Sequence, residues 1–471
     1  MTVETLIIGA GISGLSTAWQ LAQAGCSVAV WESGARLGGK IATDYDPVSG
    51  YTTEQAASMV LNFRPEVSRF LQETGLESCK LIRSPTTKRY LIHQGQLREV
   101  PMTLSGLLLT PLWSWPAKLR LLLEPFIMQQ GHANETVAEF VRRRLGSEML
   151  DKALGAYISG TLASDPEQAS AQAILPRLTA LEQRYGSLTA GVFAHKVLNK
   201  KQASETEGFS FQGGMSALVE KLAVGIASKI HLQHKLVAVS PEHNGWSVVA
   251  QTPTGEKSLW VRNLILTTPA PATAQLLKYF DKPLSELLTG IQYAPLSVVH
   301  LGVKKDNIKH AVSGTGFLTP PKEKTVINGS MWMHSLFQNR APTDHVLLSN
   351  YLGGARHPEV INWDTQQCID SVTQELQDLL GLSGHAAWAK VDQHAQALPL
   401  YHGHYMQRQQ QIQQCLRQHT GLYLQGNYIG GVSIRDRIIQ AEKLAQVILS
   451  KTASHSAQTA THHETTIPIN R

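Results

Sequence analysis

Several things are scarce in this 471-residue chain, and each scarcity closes off a class of protein. Only four cysteines occur (Cys26, Cys79, Cys368 and Cys415), too far apart for a metal knot or a disulfide framework, which suits a reducing compartment. No apolar run is clean enough to span a bilayer. The most hydrophobic stretch, Leu104 to Met128, is interrupted by Pro111, Pro116 and Pro125 and charged by Lys118, Arg120 and Glu124. Long Lys/Arg runs are also missing. The densest, Arg142 to Arg144, reads as a solvated helix face, so nucleic acid is not an expected partner despite a net charge of +6. The basic balance suits a carboxylated substrate or an anionic membrane surface instead. There is no Ser/His/Asp triad or paired-carboxylate constellation, no metal-ligand spacing and no internal repeat. A buried strand opens at Glu4, which leaves no room for a leader and points to the cytoplasm.

What is present begins at that strand. Glu4 to Ile8 leads directly into Gly9-Ala-Gly-Ile-Ser-Gly14, a helical run from Leu15 to Ala24, a turn at Gly25, a second apolar run from Ser27 to Trp31, and Glu32. In a strand-turn-helix that grips a dinucleotide, the first glycine allows the tight turn and the second lets a pyrophosphate approach the backbone. The third lets the helix pack on the strand. Gly9, Gly11 and Gly14 fill these roles, with Ser13 among them. The helix N-terminus then offers free N–H groups to phosphate, and Glu32, with Ser33 beside it, can take the ribose hydroxyls. Arg36-Leu-Gly-Gly39-Lys40 follows, similar to the second fingerprint of FAD enzymes of the flavin amine oxidase superfamily, although Lys40 stands where Arg is usual and cannot supply a planar fork.

With 42% hydrophobic and 17% charged residues, the chain is an ordinary globular protein of two or three domains. Asn62 to Gly75 is helical, and Lys88 to Val100 alternates as a hairpin turning at His93 to Gln96. Leu104 to Met128 has two readings: a buried helix pair, or a patch lying on a membrane with Trp113 and Trp115 at headgroup level. Helical segments continue to about residue 205. The dinucleotide domain resumes at Phe209 to Met215, followed by strands His231 to Val239, Trp246 to Gln251 and Val261 to Thr268. Apolar strands Ala294 to Gly302 and Val346 to Gly353 suggest a second sheet. Gly421 to Val432 is a strand entering a glycine turn, and the helix from Ile434 can aim its N–H groups at an electron-rich ring. From Lys451 the composition is polar, and a disordered tail is expected.

Taken together, these segments resemble the oxygen-dependent protoporphyrinogen oxidase family over nearly the whole chain. The resemblance is carried by Leu119 to Phe126 (LRLLLEPF), Phe140 to Gly146 (FVRRRLG), Ser159 to Pro166 (SGTLASDP), Leu175 to Leu188 (LPRLTALEQRYGSL) and Phe209 to Val219 (FSFQGGMSALV). It extends to Asn339 to Pro342 (NRAP), Ala397 to His404 (ALPLYHGH) and Gly426 to Ser433 (GNYIGGVS). It implies an α/β protein with α+β elements. A Rossmann-like FAD domain (1–62, 205–275, 395–450) would carry a mixed-sheet substrate domain (63–95, 276–394), a helical membrane-binding insertion (96–204) and a tail (451–471). The implied reaction removes six electrons from protoporphyrinogen IX in three two-electron cycles, consuming three O₂ and releasing three H₂O₂. Arg89 falls where the family places a cation for a substrate propionate, and Gly160 where a backbone carbonyl faces the ring. Leu318, Met331 and Tyr351 fall where the macrocycle is sandwiched, Tyr351 replacing the usual Phe or Met. Thr53 to Ser58 also departs from the family's glycine-containing turn.

For FAD the resemblance adds Leu236, whose backbone would meet adenine, and Gly426, Asn427, Val432 and Ser433 around the flavin. Non-covalent attachment is expected, because GNYIGG has no Cys or His. Peripheral contact with the cytoplasmic face of a membrane is implied. A homodimer and handover of product to a ferrochelatase stay open. The nearest alternative is a coproporphyrinogen III oxidase, which needs more cations at its cavity, and only Arg89 is evident in the sequence. A flavin amine oxidase or carotenoid-type desaturase is a more distant one, lacking here an evident lysine-held water and aromatic cage. A non-catalytic flavoprotein is a third.

Overall fold

The computed structural model describes residues 3–101, 106, 109–198 and 206–463. Its centre is a five-stranded parallel sheet in the order Ile230–His231, Val28–Trp31, Thr5–Ile8, Asn263–Leu266, Leu422–Leu424. Thr5–Ile8, Val28–Trp31 and the last three residues of Asn263–Leu266 are buried throughout and, Thr5 apart, apolar, as a sheet covered on both faces requires. On one face lie Leu15, Ala18 and Leu21 of helix Ile12–Gln23 with the C-terminal helix; on the other, Trp246, Val248 and Leu284 pack against Leu6 and Leu264. An antiparallel meander, Lys235–Glu242, Gly245–Thr252 and Gly255–Val261, flanks the sheet.

The second sheet is mixed and seven-stranded: Trp388–Pro399, Tyr293–Lys304, His345–Gly353, Ile327–Trp332, Gly316–Leu318, Tyr90–His93, Gln96–Glu99. Helix Thr365–Leu380 covers one face with Cys368, Val372, Leu376 and Leu380, one residue per turn. A capping box between Asp364 and Gln367 starts that helix, and Gly381 in the left-handed region (φ +64°) ends it. A small sheet of Val60–Asn62, Glu207–Phe211 and Lys80–Ile82 joins the N-terminal segments to the chain that re-enters after the helical stretch.

That helical stretch differs from the reading of its charges. Arg142 is exposed and pairs with Glu167, as a solvated face would have it. Arg143 and Arg144 turn inward instead: Arg143 binds Glu135 and Glu182, and Arg144, 1% exposed, binds Glu182 and Glu124. Glu124 is itself buried, accepting from Ser187 Oγ (2.7 Å) and from the N–H groups of Leu188 and Thr189, and so caps helix Leu188–Leu198. Buried charges survive only when paired and hydrogen-bonded, and these are.

Of the Leu104 to Met128 segment, residues 104, 105, 107 and 108 lie outside the described residues. The remainder separates the two tryptophans assigned to one level. Trp113 is 5% exposed, closed into the helical core, while Trp115 is 72% exposed at the start of helix Trp115–Leu122. Lys118 is drawn inward too: its ammonium donates to Thr110 O (2.9 Å) and lies 4.6 Å from the Trp115 ring. Leu119, Leu122, Phe126 and Met128 are exposed with Trp115. Among the described residues no helix is long and apolar enough to cross a membrane. The last helix runs Ile434–His463, past the Lys451 at which a tail was expected, and residues 464–471 lie outside the described residues.

Candidate active site

The parallel sheet and the mixed sheet face each other across one cavity of about 2450 Å³. Sites for drug-sized ligands run to roughly 300–1,000 Å³, so there is room for two large ligands end to end.

At one end is the glycine turn. Gly9 has φ +106°, and a Cβ at Gly14 would lie 1.9 Å from the Gly9 carbonyl oxygen, so only glycine lets the helix sit this close to the strand. Gly11 faces the loop Gly38-Gly39, whose nearest atoms are 3.9–4.0 Å from where its Cβ would be. That open cradle over a helix N-terminus fits a pyrophosphate. Glu32 accepts from the N–H groups of Ala10 and Gly34, both at 2.8 Å, which fixes its carboxylate at the cavity edge with acceptor capacity left for a ribose. Gly9, Gly11, Ser13, Glu32, Ser33, Gly39, Lys40 and Leu236 all line the cavity. Gly14 shapes it from behind. Arg36 does the same, its guanidinium spent on the carbonyls of Leu37, Gly39 and Ile41. The Lys40 ammonium reaches across to the carbonyls of Gln396 and Ala397 on the mixed sheet, and burial pulls its pKa down to about 8.

Midway lies the turn from Gly426 to Ser433. Asn427, Val432 and Ser433 line the cavity. Gly426 stands behind, where a Cβ would run into the Tyr428 ring. Asn427 is held by two hydroxyls: Tyr293 donates to its side chain (3.2 Å) and Tyr401 to its carbonyl (2.8 Å). Ser433 caps the final helix, its Oγ accepting from Asp436 N–H (3.1 Å). Beneath the turn, buried Arg437 donates to the carbonyls of Gly426 and Ile429, and its Nε lacks a partner among the described residues. Sequence reading missed Arg437. The available signal was two arginines in the first turn of a helix, where the dipole disfavours cations.

At the far end the mixed sheet brings together Arg89, Gly160, Leu318, Met331 and Tyr351, all lining the same cavity. Gly160 has a packing reason: its Cβ would lie 2.5 Å from Leu318 Cδ2 and 3.0 Å from Asn328 O, so its absence lets helix Gly155–Leu162 touch the sheet. The Tyr351 hydroxyl meets Ser58 Oγ at 2.7 Å and lies 3.7 Å from Met331 Sδ. Burial raises the phenol to about 12. The non-family turn at Thr53 to Ser58 and the non-family tyrosine are thus partners. Further back, Glu54 accepts from Arg340 Nη1 (2.8 Å) and Met215 N–H (3.0 Å), tying that turn to two other segments.

The arrangement can seat a dinucleotide along the parallel sheet and a large, mostly apolar molecule against the mixed sheet, with a cationic edge. The family model for flavin containing amine oxidoreductases matches residues 12–449. Protoporphyrinogen oxidase 2 of Arabidopsis thaliana is 28% identical, with 94% of this chain and 93% of that protein covered. Coproporphyrinogen III oxidase of Bacillus subtilis is 23% identical over 93% and 96% of the two chains. A solved structure of an Exiguobacterium sp. 255-15 protein, provisionally assigned as a protoporphyrinogen oxidase, superposes with a TM-score of 0.78 at 23% identity, covering 95% of this chain and 99% of that one. Likeness at that identity establishes the fold.

Proposed function

Because this chain belongs to the flavin containing amine oxidoreductase family, we propose that its cavity binds FAD non-covalently and oxidises protoporphyrinogen IX to protoporphyrin IX, with O₂ as acceptor. The observation that carries this is one continuous cavity joining the glycine cradle to Arg89, Leu318, Met331 and Tyr351. FAD, when bound, supplies a two-electron acceptor. The chain's own residues do the rest. Gly11 and the N-terminus of helix Ile12–Gln23 receive the pyrophosphate, Glu32 the ribose, and the backbone near Leu236 the adenine. Val432 and Ser433 border the ring. Leu318 and Met331 pack against the flexible macrocycle and orient it, Arg89 anchors a propionate, and the Gly160 segment closes the opposite side. Tyr351, locked to Ser58, contributes its ring to the sandwich and stays protonated at physiological pH. A strong general base is less necessary than in most dehydrogenations, since aromatisation supplies much of the driving force.

The helical stretch is the candidate membrane contact, through Trp115, Leu119, Leu122, Phe126 and Met128. A second reading, coproporphyrinogen III oxidation, gains from cations the sequence did not single out: Arg83, Arg64 and Arg177 also line the cavity. Product stoichiometry tests the reaction class. Three H₂O₂ per porphyrin formed is expected, and H₂O₂ release from amines without any porphyrin formation would contradict it.

A further inference from the structure

Arg83 follows strand Lys80–Ile82 and is fixed there by its N–H to Gly208 O, 2.7 Å. Its side chain is 7% exposed and lines the cavity. For so buried a guanidinium it is poorly satisfied. The one hydrogen bond it makes is long, 3.4 Å from Nη1 to Thr315 Oγ1, its Nε has no partner, and among the described residues it makes no ion pair. Arg89 makes no ion pair either, whereas its neighbour Lys88 is neutralised by Glu99 at 2.9 Å. The two arginines are brought to one spot by the sheet. Thr315, which accepts from Arg83, donates its own N–H to Lys88 O (2.8 Å), because Gly316–Leu318 runs parallel to Tyr90–His93. Burial first, and then the like charge of Arg89, pull the Arg83 guanidinium below its usual range. A buried, unpaired cation with a second, half-buried cation beside it is costly unless an anion arrives between them.

We propose that Arg83 and Arg89 form a two-arginine clamp for adjacent carboxylates on one edge of the substrate, with Arg83 taking a carboxylate through its free Nε and Nη groups. This rests on the porphyrinogen reading and extends it. The macrocycle enters with its acidic edge towards Arg83 and Arg89, and Leu318 and Met331 pack against its face. Guanidinium forks match carboxylates in plane, so the clamp selects for a ligand with two neighbouring acids.

The test is fluorescence titration of flavin-loaded wild type, Arg83→Gln and Arg83→Lys with protoporphyrin IX and with its dimethyl ester, together with KM and kcat for the two corresponding porphyrinogens. Arg83→Gln is expected to weaken the free acid about ten- to hundredfold, the worth of a charged hydrogen bond. It should leave the ester and kcat close to wild type, and Arg83→Lys should recover part of the loss. Equal weakening of acid and ester would mean that Arg83 only supports the fold, and would overturn the clamp. So would wild-type KM in Arg83→Gln, leaving the functional reading intact. Wild-type protein that neither binds nor oxidises the tetrapyrroles would overturn both.

Discussion

Gly160 offers a quantitative test of how the helical segment seals the cavity. In Gly160→Ala the new methyl would lie 2.5 Å from Leu318 Cδ2 and 3.0 Å from Asn328 O. Carbon atoms in contact sit about 3.5–4.0 Å apart, so roughly 1 Å must be found. Asn328 cannot yield it, being backbone of strand Ile327–Trp332 with its amide tied to Gly353 O at 2.8 Å. Leu318 must move, and its free side is the cavity. Overpacking of this kind costs about 1–3 kcal/mol. The displaced leucine should also raise KM for porphyrinogen more than it lowers flavin content, because the glycine cradle lies at the other end. Leu318→Ala removes the clashing carbons, so the double variant should recover stability with a coupling of about 1 kcal/mol or more in a double-mutant cycle read by urea unfolding. Additive losses, or Gly160→Ala indistinguishable from wild type in both midpoint and KM, would refute the packing argument.

Tyr351→Phe removes the hydroxyl facing Ser58 and leaves a buried Oγ without that partner, so a stability loss of about 1–3 kcal/mol with activity retained is expected from thermal unfolding and steady-state kinetics. Loss of activity at unchanged stability would instead make the hydroxyl part of the chemistry. Lys40 has a folded pKa of about 8 against 10.5 unfolded, so between those values the unfolded chain binds more protons and folding stability rises with pH. Relative to Lys40→Met, wild-type flavin-free protein should gain up to about 3 kcal/mol across that window, less what the Gln396 and Ala397 carbonyls return to the ammonium form. A flat difference would contradict burial of that charge. Replacing Trp115 and Phe126 by Ser should abolish flotation with anionic liposomes at low salt without altering the melting temperature. Unchanged flotation would remove the patch from the membrane contact.

What could be seen in the sequence was local. Strand, turn, helix and second strand around Gly9 to Glu32 are specified within 28 residues, Gly14 by its contact with Gly9 close by in the chain, and they fold as read. The hairpin Tyr90–His93 with Gln96–Glu99 was visible for the same reason. Properties set by distant partners were not. Arg143 and Arg144 read as surface because Glu124, Glu135 and Glu182 sit 8 to 39 residues away in other elements. Trp113 and Trp115 share a motif yet face opposite ways, since the start of a helix at Trp115 turns the chain between them. Arg83 carried no motif. Its meaning lies in the absence of a partner, which only the parallel pairing of Gly316–Leu318 with Tyr90–His93 exposes.

The measurement closest to the central claim is anaerobic reduction of the flavin, followed by stopped-flow absorbance after mixing flavin-loaded protein in parallel with protoporphyrinogen IX, coproporphyrinogen III and a primary amine. Fast bleaching by protoporphyrinogen IX, and much slower or none by the others, is the predicted result. Bleaching by coproporphyrinogen III alone would reassign the substrate while keeping the site, and bleaching by the amine alone would contradict the porphyrinogen reading altogether.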